Sequence, residues 1–214
     1  MRLCSRAFAL CAPVLLAGCS LGRPVPETTL FVIESDRGVA RQAEPGLPET
    51  LRVGAVRVAA PFAGNSLVYR LGDVRYVTDP YNAFGADPGA MLGGRIAQWL
   101  DGAGAFRAVA QPGSARPSPY VLEVSVTELY GDFRSAKAPA AVLAMQFALI
   151  DHSGPRPTSS YERSYSHSVE LPQASPEALV RGYGTALSQI LAQVAVELSA
   201  QFHANGDQHV SPAP

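Results

Sequence analysis

Few side chains in this 214-residue sequence are of a type that does covalent or metal chemistry. There are three cysteines, Cys4, Cys11 and Cys19, and four histidines, His152, His167, His203 and His209. A thiolate can act as a nucleophile or accept an acyl chain. Imidazoles and carboxylates can hold a metal when several converge within about 2 Å of one ion. The histidines fall in a loop, on a strand and twice near the C-terminus, and that spacing predicts no metal site. The chain has no G-x-S-x-G, no G-x-x-x-x-G-K-[ST] and no H-E-x-x-H, so the usual nucleophile elbow, phosphate loop and zinc helix are missing. The nearest glycine pattern, GAGAFR from Gly102, lacks a third glycine and closes a helix instead of opening one. Neither a cofactor nor an enzymatic activity is expected.

Cys19 is the exception, and its neighbours say what its sulfur is for. Arg2 and Arg6 precede an apolar run from Ala7 to Leu16, the pattern of a secretory signal. The run is far shorter than the ~20 residues a spanning helix needs. Leu16-Ala17-Gly18-Cys19 resembles the bacterial lipobox. That resemblance implies diacylation of the Cys19 thiol, cleavage between Gly18 and Cys19, and acylation of the freed amine by a chain of the palmitate class. One acyl chain anchors only marginally, and two or more anchor stably. The next residue is Ser20, not Asp, which by resemblance to Gram-negative lipoproteins implies the periplasmic face of the outer membrane.

Cys4 and Cys11 lie within the predicted signal, so the mature chain keeps one cysteine and forms no internal disulfide. Removal of residues 1–18 leaves 196 residues, enough for one domain with a core of its own. With Arg2 and Arg6 gone, 15 basic and 18 acidic side chains give a formal charge of −3. That balance points to neither nucleic acid nor an anionic surface.

The elements that position everything else are legible from periodicity. Residues 19–27 read as a lipidated N-terminus and short tether, 28–204 as one domain and 205–214 as a disordered tail. Within the domain, strands are expected over Thr28–Ser35, over Leu51–Val58 with a phase shift at Gly54 that suggests a bulge or a close backbone approach, in a hairpin turning at Leu71-Gly72-Asp73 and ending at Asp79-Pro80, and over Ala105–Val109. Tyr120 opens a cleanly alternating strand, and AVLAMQFALID and TSSYERSYSHSVE form a second hairpin. Asp87-Pro88 starts a helix running to Asp101, and Ser175-Pro176 starts a longer one reaching Asn205-Gly206, about 40 Å at ~1.5 Å per residue. The order β-β-β-β-α-β-β-β-β-α predicts a single α+β domain, a mostly antiparallel sheet with two helices on one face.

The segments LRVGAVRVAAPF, LVYR, VRYVTDPYNAF, PGAMLGGRIAQWL, FRAV, YVLEVSVTELYGDF and YERSYSHSV, with the lipobox and the long last helix, resemble in their order the ABC-type transport auxiliary lipoproteins. The resemblance implies a non-enzymatic accessory subunit of a system that moves phospholipids or other apolar molecules between inner and outer membranes. Its partners would be an MCE-domain periplasmic protein with its ABC permease and ATPase, and a homo-oligomeric ring is known among relatives. Where many members carry Arg-Trp in the second hairpin strand, this chain has Arg75-Tyr76. Tyr69, Arg70, Arg75, Tyr76 and Asp79 form the candidate partner interface. Tyr161, Arg163, Tyr165 and His167 offer a second aromatic and basic cluster, more readily explained as rings packed beneath the last helix. A different class of function is open at this level: a structural lipoprotein that supports the outer membrane without handling lipid.

Overall fold

A computed structural model describes residues 27–35, 47–104 and 106–206. The predicted signal, the Gly18–Cys19 cleavage site, the tether up to residue 26 and residues 207–214 lie outside the described residues.

The fold is organised around strand β7 (Tyr120–Asp132). One flank of β7 is paired throughout, antiparallel, with β8 (Ala140–Asp151), and β9 (Thr158–Glu170) continues antiparallel along β8. The other flank is shared in parallel by three short strands, β2 (Leu47–Val53), β3 (Arg57–Val58) and β4 (Ser66–Arg70). From β4 the sheet extends antiparallel to β5 (Tyr76–Phe84) and then parallel to β1 (Thr29–Phe31), while β6 (Phe106–Ala110) pairs in parallel with β2. The nine strands form one mixed sheet, and with helices α1 (Pro88–Ala103) and α2 (Pro176–Gly206) they make a single α+β domain. The long hairpin ladders are antiparallel as the alternation predicts. The short joints are parallel, a choice that depends on crossovers through α1 and the loops and leaves no mark on local alternation.

Of the two readings of Gly54, the structure shows the close backbone approach, where a Cβ would lie 3.4 Å from Leu122 O, and the strand divides there. The Gly54 N–H donates to Leu122 O (2.9 Å) after β2 ends, and β3 resumes at Arg57. Both predicted helix starts are capped: Asp87 Oδ1 accepts from Ala90 N at 2.8 Å, and Ser175 Oγ accepts from Ala178 N at 3.2 Å. The helices touch each other and share a core with the inner face of the sheet, where Leu122, Leu143, Phe147, Leu92, Ile96, Leu187 and Val194 are fully or almost fully buried. Two glycines of α2 permit that closeness. A Cβ on Gly182 would lie 2.6 Å from Ala141 Cβ, and one on Gly184 would fall on the Glu34 carbonyl oxygen. Among the described residues, no helix is long and apolar enough to cross a membrane.

Candidate functional site

The five residues singled out on the β4–β5 hairpin are brought together in two separate groups. The register pairs Tyr69 with Val77 and Arg70 with Tyr76, so neighbouring side chains alternate between the faces of the hairpin.

One group is built on Asp79. Between Val68↔Thr78 and Ser66↔Ala83 the register shifts, and Asp79 braces the extra residues of β5. Its Oδ1 accepts from the backbone N–H of Tyr81 (2.8 Å) and Asn82 (3.0 Å), and its Oδ2 accepts from Tyr69 Oη (2.7 Å) and Asn82 Nδ2 (2.9 Å). This is why β5 does not end at Asp79-Pro80, as the sequence predicts, but continues to Phe84. Proline is tolerated there because a bulge needs no ladder hydrogen bond at that position. Burial acts to raise the Asp79 pKa, but the hydrogen bonds from Tyr69, Tyr81 and Asn82 outweigh it and hold the carboxyl below its ordinary range. Burial first, and then the bond to Asp79, push the Tyr69 phenol well above its ordinary range. The Tyr69 ring stacks on Phe133 at 5.0 Å.

The other group is centred on Tyr76. Its ring meets Tyr130 edge-on (5.3 Å) and Phe62 (6.1 Å), which themselves stack at 5.8 Å. The Arg70 guanidinium lies 5.7 Å from the Tyr76 ring centre, with Nε donating to Gly72 O (3.3 Å) and Nη2 to Asp73 O (2.9 Å). Arg75 Nη2 donates to the Leu71 carbonyl at 3.5 Å. Phe62, Tyr130 and Phe133 complete both groups and were not picked out in the sequence. Phe133 directly follows β7, Tyr130 lies within it and Phe62 lies in the turn after β3, so no shared local pattern marks them.

This arrangement is suited to contact and poorly suited to bond-making. The Tyr69 phenol is held protonated, and the Asp79 carboxylate is surrounded by donors. Tyr76, Val77 and Tyr81 are exposed at 41, 37 and 51 %, because β1 pairs with β5 only over Asn82–Phe84.

The second cluster lies under α2, as the packing reading expects. Tyr161 is buried, its hydroxyl 2.6 Å from that of Tyr165. Arg163 Nε is 3.3 Å from Glu197, and His167 meets Gln189 (3.0 Å) and Gln193 (3.3 Å). His152 sits exposed between β8 and β9. His209 and the side chain of His203 lie outside the described residues. Among the described residues, no group of three or more His, Cys, Asp or Glu could hold a metal ion.

Residues 31–195 match the ABC-type transport auxiliary lipoprotein components, and the chain belongs to that family. Its members are auxiliary components carried as lipoproteins, a class held to membranes by attached lipid. No curated protein matches the chain. The fold is similar to a crystal structure of a DUF330 protein from Xanthomonas campestris, at 16 % identity and a TM-score of 0.68, covering 85 % of this chain and 98 % of that one. A second crystal structure, titled only as an uncharacterized protein, matches at 19 % identity and a TM-score of 0.63, covering 80 % and 99 %.

Proposed function

We propose that the protein is a non-enzymatic accessory subunit of an ABC-type system that moves phospholipids or other apolar molecules between the two membranes of the envelope. It is anchored through lipid on Cys19 to the periplasmic face of the outer membrane. There it meets an MCE-domain protein that works with the inner-membrane permease and ATPase. The observation that carries this reading is the family match over residues 31–195. The site supports it by offering side chains for contact rather than catalysis. The partner surface is the β4–β5 hairpin, where Tyr76 and Arg75 face outward while Tyr69, Arg70 and Asp79 hold the strand in shape.

Crosslinking and pull-down from envelopes tests this, using the parent chain and a Cys19→Ala form. Recovery of an MCE protein with its permease and ATPase, reduced on loss of Cys19, is the expected result. Recovery of outer-membrane assembly or cell-wall components alone would replace transport with a structural role.

A further inference from the structure

The turn between β4 and β5 has a composition that the partner reading does not use. Val74 is 93 % exposed and Leu71 36 %, at the outermost point of the hairpin. The backbone of this apolar turn is nonetheless closed on itself. Leu71 N–H donates to Arg75 O (2.9 Å) and Arg75 N–H to Gly72 O (3.4 Å). Arg70 covers the carbonyls of Gly72 and Asp73, and Arg75 covers that of Leu71. The exposed Asp73 carboxylate is 3.3 Å from Arg134 of the β7–β8 turn. With these bonds the carbonyls of Leu71, Gly72, Asp73 and Arg75 are supplied with donors from within the hairpin and need fewer from water.

The direction of the chain places lipid near this tip. β1 runs parallel to β5, with Thr29 across from Asn82, so the chain enters β1 from the side on which the hairpin turns. Asn82 lies six residues along β5 from Tyr76, about 20 Å at ~3.3 Å per residue. Cys19 lies ten residues before Thr29, a reach of about 33 Å at most. A lipid on Cys19 therefore reaches the plane of the tip with little chain to spare.

We propose that the tip, Leu71–Val74, rests in the headgroup layer of the bilayer that carries the Cys19 lipid. Val74 and Leu71 enter the boundary with the acyl chains, and Tyr76 stays above it on the partner surface. The exposed Lys137 of the β7–β8 turn meets lipid phosphates. The domain is thus held at two points, which fixes its orientation on the membrane. This rests on the reading that Cys19 carries lipid, and the test separates the two.

Residues 19–214 are coupled through the Cys19 thiol to a maleimide phospholipid in vesicles of phosphatidylethanolamine and phosphatidylglycerol, so attachment does not depend on natural acylation. With Trp99→Phe as background, Val74→Trp is expected to lose most of its emission to brominated lipids, and Ser153→Trp at the β8–β9 turn is expected to keep it. Equal quenching at both positions, or none at 74, overturns the proposal. In a second arm Cys19 carries a single acyl chain, whose binding is reversible. There Val74→Asp with Leu71→Ser is expected to weaken vesicle binding several-fold and Ser153→Asp to leave it unchanged. Unaltered binding by the tip variant, or crosslinking from position 74 in envelopes to protein instead of lipid, also overturns it. The mass of the N-terminal peptide from cells tests natural acylation separately.

Discussion

Strands β5 and β9 both carry two tyrosines among small polar residues, and end in opposite circumstances. On β9 the 31-residue helix α2 lies overhead, so Tyr161 is buried, Arg163 finds Glu197, and His167 is bridged to two glutamines. Among the described residues, β5 has only the three-residue β1 on its outer edge, and Tyr76 and Tyr81 remain exposed. Residue type therefore does not distinguish a packing strand from a contact strand. What distinguishes them is whether another element of the same chain covers the aromatic face.

The largest effect should come from lifting the cover. Gly184→Val places a side chain against the Glu34 backbone, where overpacking cannot be relieved by a rotamer change, and about 3 kcal/mol of stability should be lost in urea unfolding. On the open strand, Asp79→Ala removes the brace of the bulge and should cost about 1.5 kcal/mol. That cost depends on pH. The folded pKa of Asp79 is depressed, so its contribution is fully present above the unfolded value near 4 and is lost as pH falls through the lower folded value. The gap between parent and Asp79→Ala, measured as urea midpoints at neutral and acid pH, should narrow below about pH 4. Tyr161→Phe deletes one hydroxyl of the 2.6 Å pair beneath α2 and should cost about 1 kcal/mol. Val74→Ser at the exposed tip should change stability by less than about 0.5 kcal/mol. If the Val74 variant proved as destabilised as the Tyr161 variant, the contrast between covered and open strands would fail.

The sequence was most informative where structure is local. The alternation in residues 140–170 appears as the β8–β9 ladder, and both caps, Asp87 and Ser175, form the predicted hydrogen bonds. It was less informative where partners are distant. Thr28–Ser35 has the composition of an eight-residue strand, yet only Thr29–Phe31 pair, because Ile33 turns inward to meet α1 and the Glu34 carbonyl lies against Gly184 of α2. Asp79-Pro80 reads as a strand end, and only the four hydrogen bonds on the carboxylate show that it is a bulge. Within the candidate site the five hairpin residues could be named from sequence. Their division into two faces, and the supporting rings of Phe62, Tyr130 and Phe133, follow from pairing across β4, β5 and β7.

The inward turn after β1 also sets how the domain answers a pull. Ile33 N lies 3.3 Å from Met91 Sδ, Arg95 Nε donates to Ile33 O at 3.1 Å, and the Glu34 carbonyl fits against Gly184. Tension applied on the N-terminal side of Thr29 runs along the strand axis and loads the β1–β5 hydrogen bonds together, in shear. Behind them the buried Ile33 acts as a stop between the two helices. A stretched tether is therefore resisted by sheet and helices at once, instead of peeling the edge strand away one bond at a time.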